Sequence, residues 1–213
     1  METRAINITS KQDKDLKIKI IPGHFATNHS HINYYIDMTR IKTKHQKAKA
    51  AGKILAKEYA SNTEIDTIVC MDGTEAIAAY LAESLSDSGY GNINRDKSIR
   101  IITPEFNTNG QMIFRDNMQK SVWGKNILLL IASASTGKSI IRSLECIKYY
   151  GGNIVGISAL FSAIADQYHV PIKAIFTPDD MPDYHTYKYD ECPFCKKGQK
   201  IDAIVNSFGY SKI

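Results

Sequence analysis

The segment Asn126-Ile-Leu-Leu-Leu-Ile-Ala-Ser-Ala-Ser-Thr-Gly-Lys-Ser-Ile140 constrains this chain most. An apolar run of strand length ends in small polar residues, passes through Thr136-Gly137-Lys138-Ser139, and gives way to helical periodicity over Ile140–Tyr150. A buried strand that turns sharply into a helix aims free backbone N–H groups and the positive end of the helix dipole at one point. That arrangement holds a phosphate.

The remaining periodicities supply a sheet and its helices. Strands are expected at Ile32–Met38, Ile65–Met71, Ile99–Thr103, Ile127–Ala132, Ile154–Phe161 and Pro171–Thr177, and helices at His45–Ala60, Thr74–Leu85 and Ile140–Tyr150, the last stopped by Gly151-Gly152. Alternating strands and helices argue an α/β fold, a mostly parallel five-stranded central sheet with helices on both faces. Residues 1–20 are polar and lysine-rich and read as a loose lead-in. An α/β body follows over 21–178, then a tail over 179–213 that carries a Cys-x-x-Cys. Ser86 to Lys97 reads as a connection, and residues 104 to 124 as a long excursion, mobile in part.

A formal charge of +5 suits an anionic small molecule and lacks the dense basic stripe of a nucleic-acid binder. No apolar segment approaches the length of a membrane span, and the polar start lacks a secretory h-region. Four cysteines in a chain of this length do not suggest a disulfide framework. These features point to a cytoplasmic protein that binds neither nucleic acid nor membranes.

Two readings of the phosphate turn compete. As a bare pattern, Ala132 to Ser139 fits a loose nucleotide-triphosphate P-loop, with Lys138 on the β/γ-phosphates and Ser139 on Mg²⁺. Against that reading, Ala132 stands where close backbone approach favours glycine, and no later apolar strand ends in a metal-holding aspartate.

In the other reading, Ile127–Ser139 resembles the 5′-phosphate loop of type I phosphoribosyltransferases, with Ser135-Thr136-Gly137-Lys138-Ser139 as the loop. Further segments are similar to orotate phosphoribosyltransferases in particular. Gly23-His24-Phe25 leading to Tyr34-Tyr35-Ile36-Asp37 resembles their base-covering hood. Val69-Cys-Met-Asp-Gly-Thr-Glu-Ala-Ile-Ala-Ala79 resembles their turn near pyrophosphate, Val170–Thr177 their last sheet strand, and Cys192-Pro-Phe-Cys195-Lys196 a tail found in some of them. The similarity runs from about residue 20 to 200. It implies a hood built from N- and C-terminal segments, a homodimer, and a ligand that is phosphoribosyl pyrophosphate (PRPP) or a pyrimidine nucleotide. It further implies Mg²⁺, a phosphate site at Ser135–Ser139, a pyrophosphate turn at Asp72-Gly73-Thr74, and base contacts from Phe25, His29, His31 and Tyr34.

The chain also departs from that pattern. Where the family carries two adjacent carboxylates for the ribose hydroxyls and Mg²⁺, this sequence has Ile131 and Ala132. Each unmet polar group there costs about 1–3 kcal/mol. The cation-rich mobile loop of the family corresponds to Thr103-Pro-Glu-Phe-Asn-Thr-Asn-Gly110, with no cation and one carboxylate, Glu105. Losing one donor to a developing anion typically costs about 10²–10³ in rate. Arg115, Lys120 and Lys125 lie near enough in sequence to substitute. A binding protein without catalysis and a divergent transferase therefore both remain open.

Cys192 and Cys195 have the spacing of half a zinc site, a reduced pair or a reversible disulfide. His185 is a third candidate ligand, and no fourth is evident. His24, His29 and His31 read more simply as polar loop histidines than as a metal group of their own. Asp72 and Glu75 are equally consistent with acids offsetting a helix dipole. Cys70 and Cys146 read as small core residues, Trp123 as an anchor for the excursion, and the tyrosines around 184–189 as packing.

Overall fold

The computed structural model describes residues 1–87, 91–108 and 111–213. In chain order it contains β1 (Ile6–Thr9), β2 (Lys17–Ala26), β3 (His31–Asp37), α1 (Thr39–Thr43), α2 (His45–Ala56), β4 (Thr67–Cys70) and α3 (Glu75–Ser86). After these come β5 (Arg100–Ile102), the pair β6 (Glu105–Phe106) and β7 (Met112–Ile113), α4 (Asp116–Gln119), β8 (Asn126–Ala134) and α5 (Lys138–Tyr149). The rest is β9 (Asn153–Ser162), β10 (Asp166–Gln167), β11 (Val170–Phe176), β12 (Thr186–Tyr187), α6 (Pro193–Lys196), β13 (Ala203–Asn206) and β14 (Gly209–Lys212). Residues 88–90 of the expected connection, and Asn109 and Gly110 of the excursion, lie outside the described residues.

The central sheet has the order β10-β11-β9-β8-β4-β5. The five strands from β11 to β5 pair in parallel, and the two-residue β10 adds an antiparallel edge that periodicity could not show. Strand β8 explains why the sheet is buried on both faces. Leu128, Leu130 and Ala132 point into the core beneath α2 and α3, whereas Ile127, Leu129, Ile131 and Ala134 point into the core beneath α5. Helix α5 ends as the sequence suggests: Gly151 takes φ +75°, and Gly152 N–H donates to the Ile147 carbonyl at 2.9 Å.

A second sheet, β12-β3-β2-β13-β14 with β1 on β2, forms the hood. Its core gathers Ile21, Phe25, Ile32, Tyr35, Ala203 and Val205. Strand β13 runs parallel to β2 with Ala203 opposite Phe25, so both ends of the chain build the hood.

Three local expectations need correction. Residues 1–20 are not a loose lead-in, because β1 pairs with β2 from Ile6↔Ile20 to Thr9↔Lys17. The alternation Lys17-Ile18-Lys19-Ile20 buries both isoleucines, a half-buried strand whose lysines obscured it. Helix α2 stops at Ala56 and not at Ala60, where the backbone tightens to the turn bonds Glu58 N–H to Leu55 and Tyr59 N–H to Ala56. Strand β8 continues through Ser133 and Ala134 because Phe161 and Ser162 of β9 pair with them.

Candidate active site

The sheet order sets the position of the cleft. Chain order runs outward from β4 to β5 on one side and from β8 to β9 and β11 on the other, so the direction reverses between β4 and β8. A crevice opens at the carboxyl ends of strands at such a switch point. Two turns meet there: Asp72-Gly73-Thr74 after β4, and Ser135–Ser139 after β8.

The second turn lines an open cleft, facing Thr27–His29, Ile32 and Tyr35 of the hood and Asn206-Ser207 of the tail. Gly137 caps α5 at φ +74°, a conformation most residues avoid. Any Cβ there would also collide with the Gln167 and Ile164 side chains. Among the described residues, nothing hydrogen-bonds the backbone N–H of Ser135, Thr136 or Gly137. The first N–H groups of α5 have no intrahelical partner. Lys138 and Ser139 are exposed at the mouth. The turn is therefore open, not plugged by side chains.

The hood wall differs from the expected base contacts. His29 lines the cleft, where burial first, then the charges of Arg142 and Lys138, hold its imidazole below the usual 6.5. Phe25 is wholly inside the hood core, and Tyr34 packs on the core beneath α2, so neither forms the wall. Tyr35 takes that place. Burial, reinforced by the charge of Asp37, pushes its phenol up to about 12, which keeps it a hydroxyl donor. His31 turns away from the cleft altogether.

The first turn is occupied by the chain itself. Asp72 and Gly73 adopt φ +62° and +75°. Asp72 Oδ2 accepts the Ala132 N–H at 3.4 Å, and burial pushes its carboxyl above the ordinary value. Thr74 is buried, its hydroxyl spent on the Met71 carbonyl at 2.8 Å. Glu75 begins α3, where its charge offsets the dipole, and accepts the Thr103 hydroxyl at 3.1 Å. Lys42, a residue without any motif, donates to the carbonyls of Asp72 at 2.8 Å and Ser207 at 2.6 Å. The ring of Phe208 lies 5.3 Å from the same ammonium. The tail thus crosses the mouth of this turn, and none of Asp72, Gly73 and Thr74 lines the cleft.

No protein-family model matches the chain. The orotate phosphoribosyltransferase of Sulfurimonas denitrificans is 25% identical over 194 residues, 85% of this chain and 90% of that protein. The orotate phosphoribosyltransferase of Pyrococcus horikoshii is 30% identical over 139 residues, 63% of this chain and 68% of that protein. The chain belongs to the orotate phosphoribosyltransferase family. A phosphoribosyltransferase from Corynebacterium diphtheriae superposes with a TM-score of 0.53 at 16% identity, covering 76% of this chain and 89% of that one, which shows the shared type I fold. The nucleotide-triphosphate reading of Lys138 and Ser139 has no support in these relatives.

Within the orotate phosphoribosyltransferase frame, the departures have a structural counterpart. Ile131 and Ala132 are 3% and 0% exposed, absorbed into the two cores. No carboxylate lines the cleft among the described residues, so the residues present do not fit a protein-held Mg²⁺ there. In the excursion, Arg115 closes on Glu105 through two bonds of 2.6 Å across the β6–β7 hairpin, so its charge is already spent. Lys120 and Lys125 do not reach the cleft either.

The remaining candidates fall elsewhere. Cys192 and Cys195 meet His24 and His31, not His185, which pairs with Asp183 at 2.7 Å on the surface. Cys70 is buried, and Cys146 donates to the Met112 carbonyl at 3.2 Å. Trp123 is 75% exposed, with its ring laid against Gly151. Sequence reasoning missed Lys42 and the tail hairpin, because nothing in Thr39–Lys44 or 203–212 carries a motif.

Proposed function

We propose that this family member binds a 5′-phosphorylated ribose compound beneath the hood, with a pyrimidine nucleoside monophosphate preferred over PRPP. The observation that carries this reading is the pairing of an open turn with a covered one. The Ser135–Gly137 turn, whose N–H groups no described residue bonds, lines the cleft, while Lys42, Ser207 and Phe208 cover the turn that would take pyrophosphate. The phosphate rests on Ser135, Thr136, Gly137, Lys138 and Ser139. Tyr35 and Asn28 line the part of the cleft that would take the nucleoside, beside apolar residues such as Ile32 and Phe161.

Phosphoribosyl transfer displaces pyrophosphate and needs cations or a metal to stabilise that leaving group. The only cation at the first turn is bound to two carbonyls among the described residues, and no acid lines the cleft. Binding therefore proceeds without protein-held Mg²⁺, and transfer is not the main activity. Family membership supports the remaining parts of the reading: a homodimer in the cytoplasm. No described helix is long and apolar enough to cross a membrane.

Pyrophosphate release should be measured with PRPP, Mg²⁺ and a panel of pyrimidine bases. The reading expects none above background; turnover with orotate would instead make the chain an active transferase with rebuilt contacts.

A further inference from the structure

We propose that His24, His31, Cys192 and Cys195 hold a structural zinc ion that fastens the hood hairpin to the tail. The four ligand atoms lie within 4.8 Å of one another. His24 Nε2 is 2.9 Å from His31 Nδ1, 3.5 Å from Cys192 Sγ and 3.6 Å from Cys195 Sγ. Cys195 Sγ is 3.3 Å from His31 Nδ1. Bonds of about 2.0–2.3 Å in a tetrahedron separate ligand atoms by about 3.3–3.8 Å. Three sulfur–nitrogen distances already match, and the two histidines need to part slightly.

Several features distinguish this group from four unrelated polar side chains. His24 is wholly buried, and its Nδ1 lies 3.0 Å from the Gln199 carbonyl. A carbonyl only accepts, so Nδ1 carries the proton and Nε2 presents its lone pair to the other three ligands. Metal-bound histidines are oriented in this way. Phe194, inside the Cys-Pro-Phe-Cys turn, stacks on the His24 ring at 5.2 Å, and Tyr189 meets the His31 ring edge-on at 5.0 Å. Cys192 is wholly buried at the start of α6, and Pro193 sets the turn that brings Cys195 back to the same point.

Two nitrogens and two sulfurs in a tetrahedral group select zinc over the harder cations. With four protein ligands no position is left for substrate, so the ion is structural. Its fold-level role follows from where the ligands sit. His24 and His31 lie at the facing ends of β2 and β3, and the loop between them carries Asn28 and His29 into the cleft. Beyond Cys195, Asp202 bonds the His24 backbone in both directions, at 2.7 and 2.9 Å, and β13 then runs alongside β2. One ion therefore fixes both the cleft loop and the path of the tail toward Lys42.

The full chain should be purified without a histidine tag and its metals measured, with cobalt exchanged into a second sample. About one zinc per chain is expected. The cobalt form should show the visible bands of a tetrahedral site with thiolate charge transfer. Cys195→Ser, at the exposed ligand, should fall below about half an equivalent, while Cys146→Ser keeps full occupancy. Thiol titration of the folded wild type covers the case in which the ligand variant fails to fold. Cys192 and Cys195 should react only after a chelator is added. Folded protein that is metal-free with both thiols reactive, or that carries a Cys192–Cys195 disulfide, would overturn the site. A linked effect, weaker nucleoside monophosphate binding after chelation, rests on the function proposed above. The metal content and cobalt spectrum do not, so the two proposals fail separately.

Discussion

The Lys42 ammonium donates to the Ser207 carbonyl at 2.6 Å, tying the α1 segment to the tail across the turn that follows β4. Since the same ammonium also holds Asp72, one half-buried side chain joins three regions far apart in sequence. Lys42→Met keeps the apolar stem and strands two carbonyls. Leaving part-buried polar groups unmet costs about 1–3 kcal/mol. The urea midpoint should fall accordingly with an unchanged slope.

Ligand choice follows from the same contact. With the first turn covered, the pyrophosphate of PRPP gains nothing over a single phosphate. Calorimetry should give a nucleoside monophosphate an affinity at least equal to that of PRPP, and the monophosphate value should not change when Mg²⁺ is removed. Tighter PRPP binding that depends on Mg²⁺ would mean that the tail moves aside.

Gly137 is confined by its left-handed backbone, and a Cβ there would also displace the ends of the Gln167 and Ile164 side chains. Gly137→Ala should destabilise the protein by about 1–3 kcal/mol and abolish nucleotide binding, because the N–H groups on either side lose their common direction. Thermal denaturation and calorimetry on one preparation check both effects.

Tyr59 tests the core away from the cleft. Its buried hydroxyl donates to the Ile157 carbonyl at 3.0 Å and lies 2.9 Å from Ser158 Oγ. Tyr59→Phe should cost about 1–2 kcal/mol in chemical denaturation and leave ligand affinity as it was.

His29 supplies the pH dependence. Its folded value lies below the ordinary 6.5 through burial and through the charges of Arg142 and Lys138. The unfolded chain therefore takes up the proton first. The stability contribution is complete above 6.5 and is lost as pH falls through the folded value. Relative to His29→Gln, the unliganded wild type should lose stability on acidification from neutral pH, and a bound phosphate should narrow that gap. A constant difference across this range would remove His29 from the cationic rim.

The sheet was legible because apolar runs and helical spacing are local properties, and Ile127 to Ala132 alternate between two cores as a buried strand must. The strand-to-helix turn at the cleft was legible because Gly137 and its neighbours are contiguous. The meeting of Cys192 and Cys195 with His24 and His31 was not. His24 and His31 are seven residues apart on adjacent antiparallel strands, and they meet the cysteines only once β13 has brought the tail alongside β2. Lys42 was equally hidden, since a lysine that binds carbonyls looks in sequence like any solvated lysine. Tyr34 and Tyr35 were separable only by their packing, Tyr34 against the core beneath α2 and Tyr35 along the cleft.

The central claim is an anion held by the amides ahead of α5. Calorimetric titration of wild type and Thr136→Asp with a pyrimidine nucleoside 5′-monophosphate tests it most directly, with circular dichroism showing that the variant is folded. Saturable one-site binding by the wild type and none by the variant is the predicted result. Equal affinity in the two proteins, or no binding of any 5′-phosphate by the wild type, would contradict it.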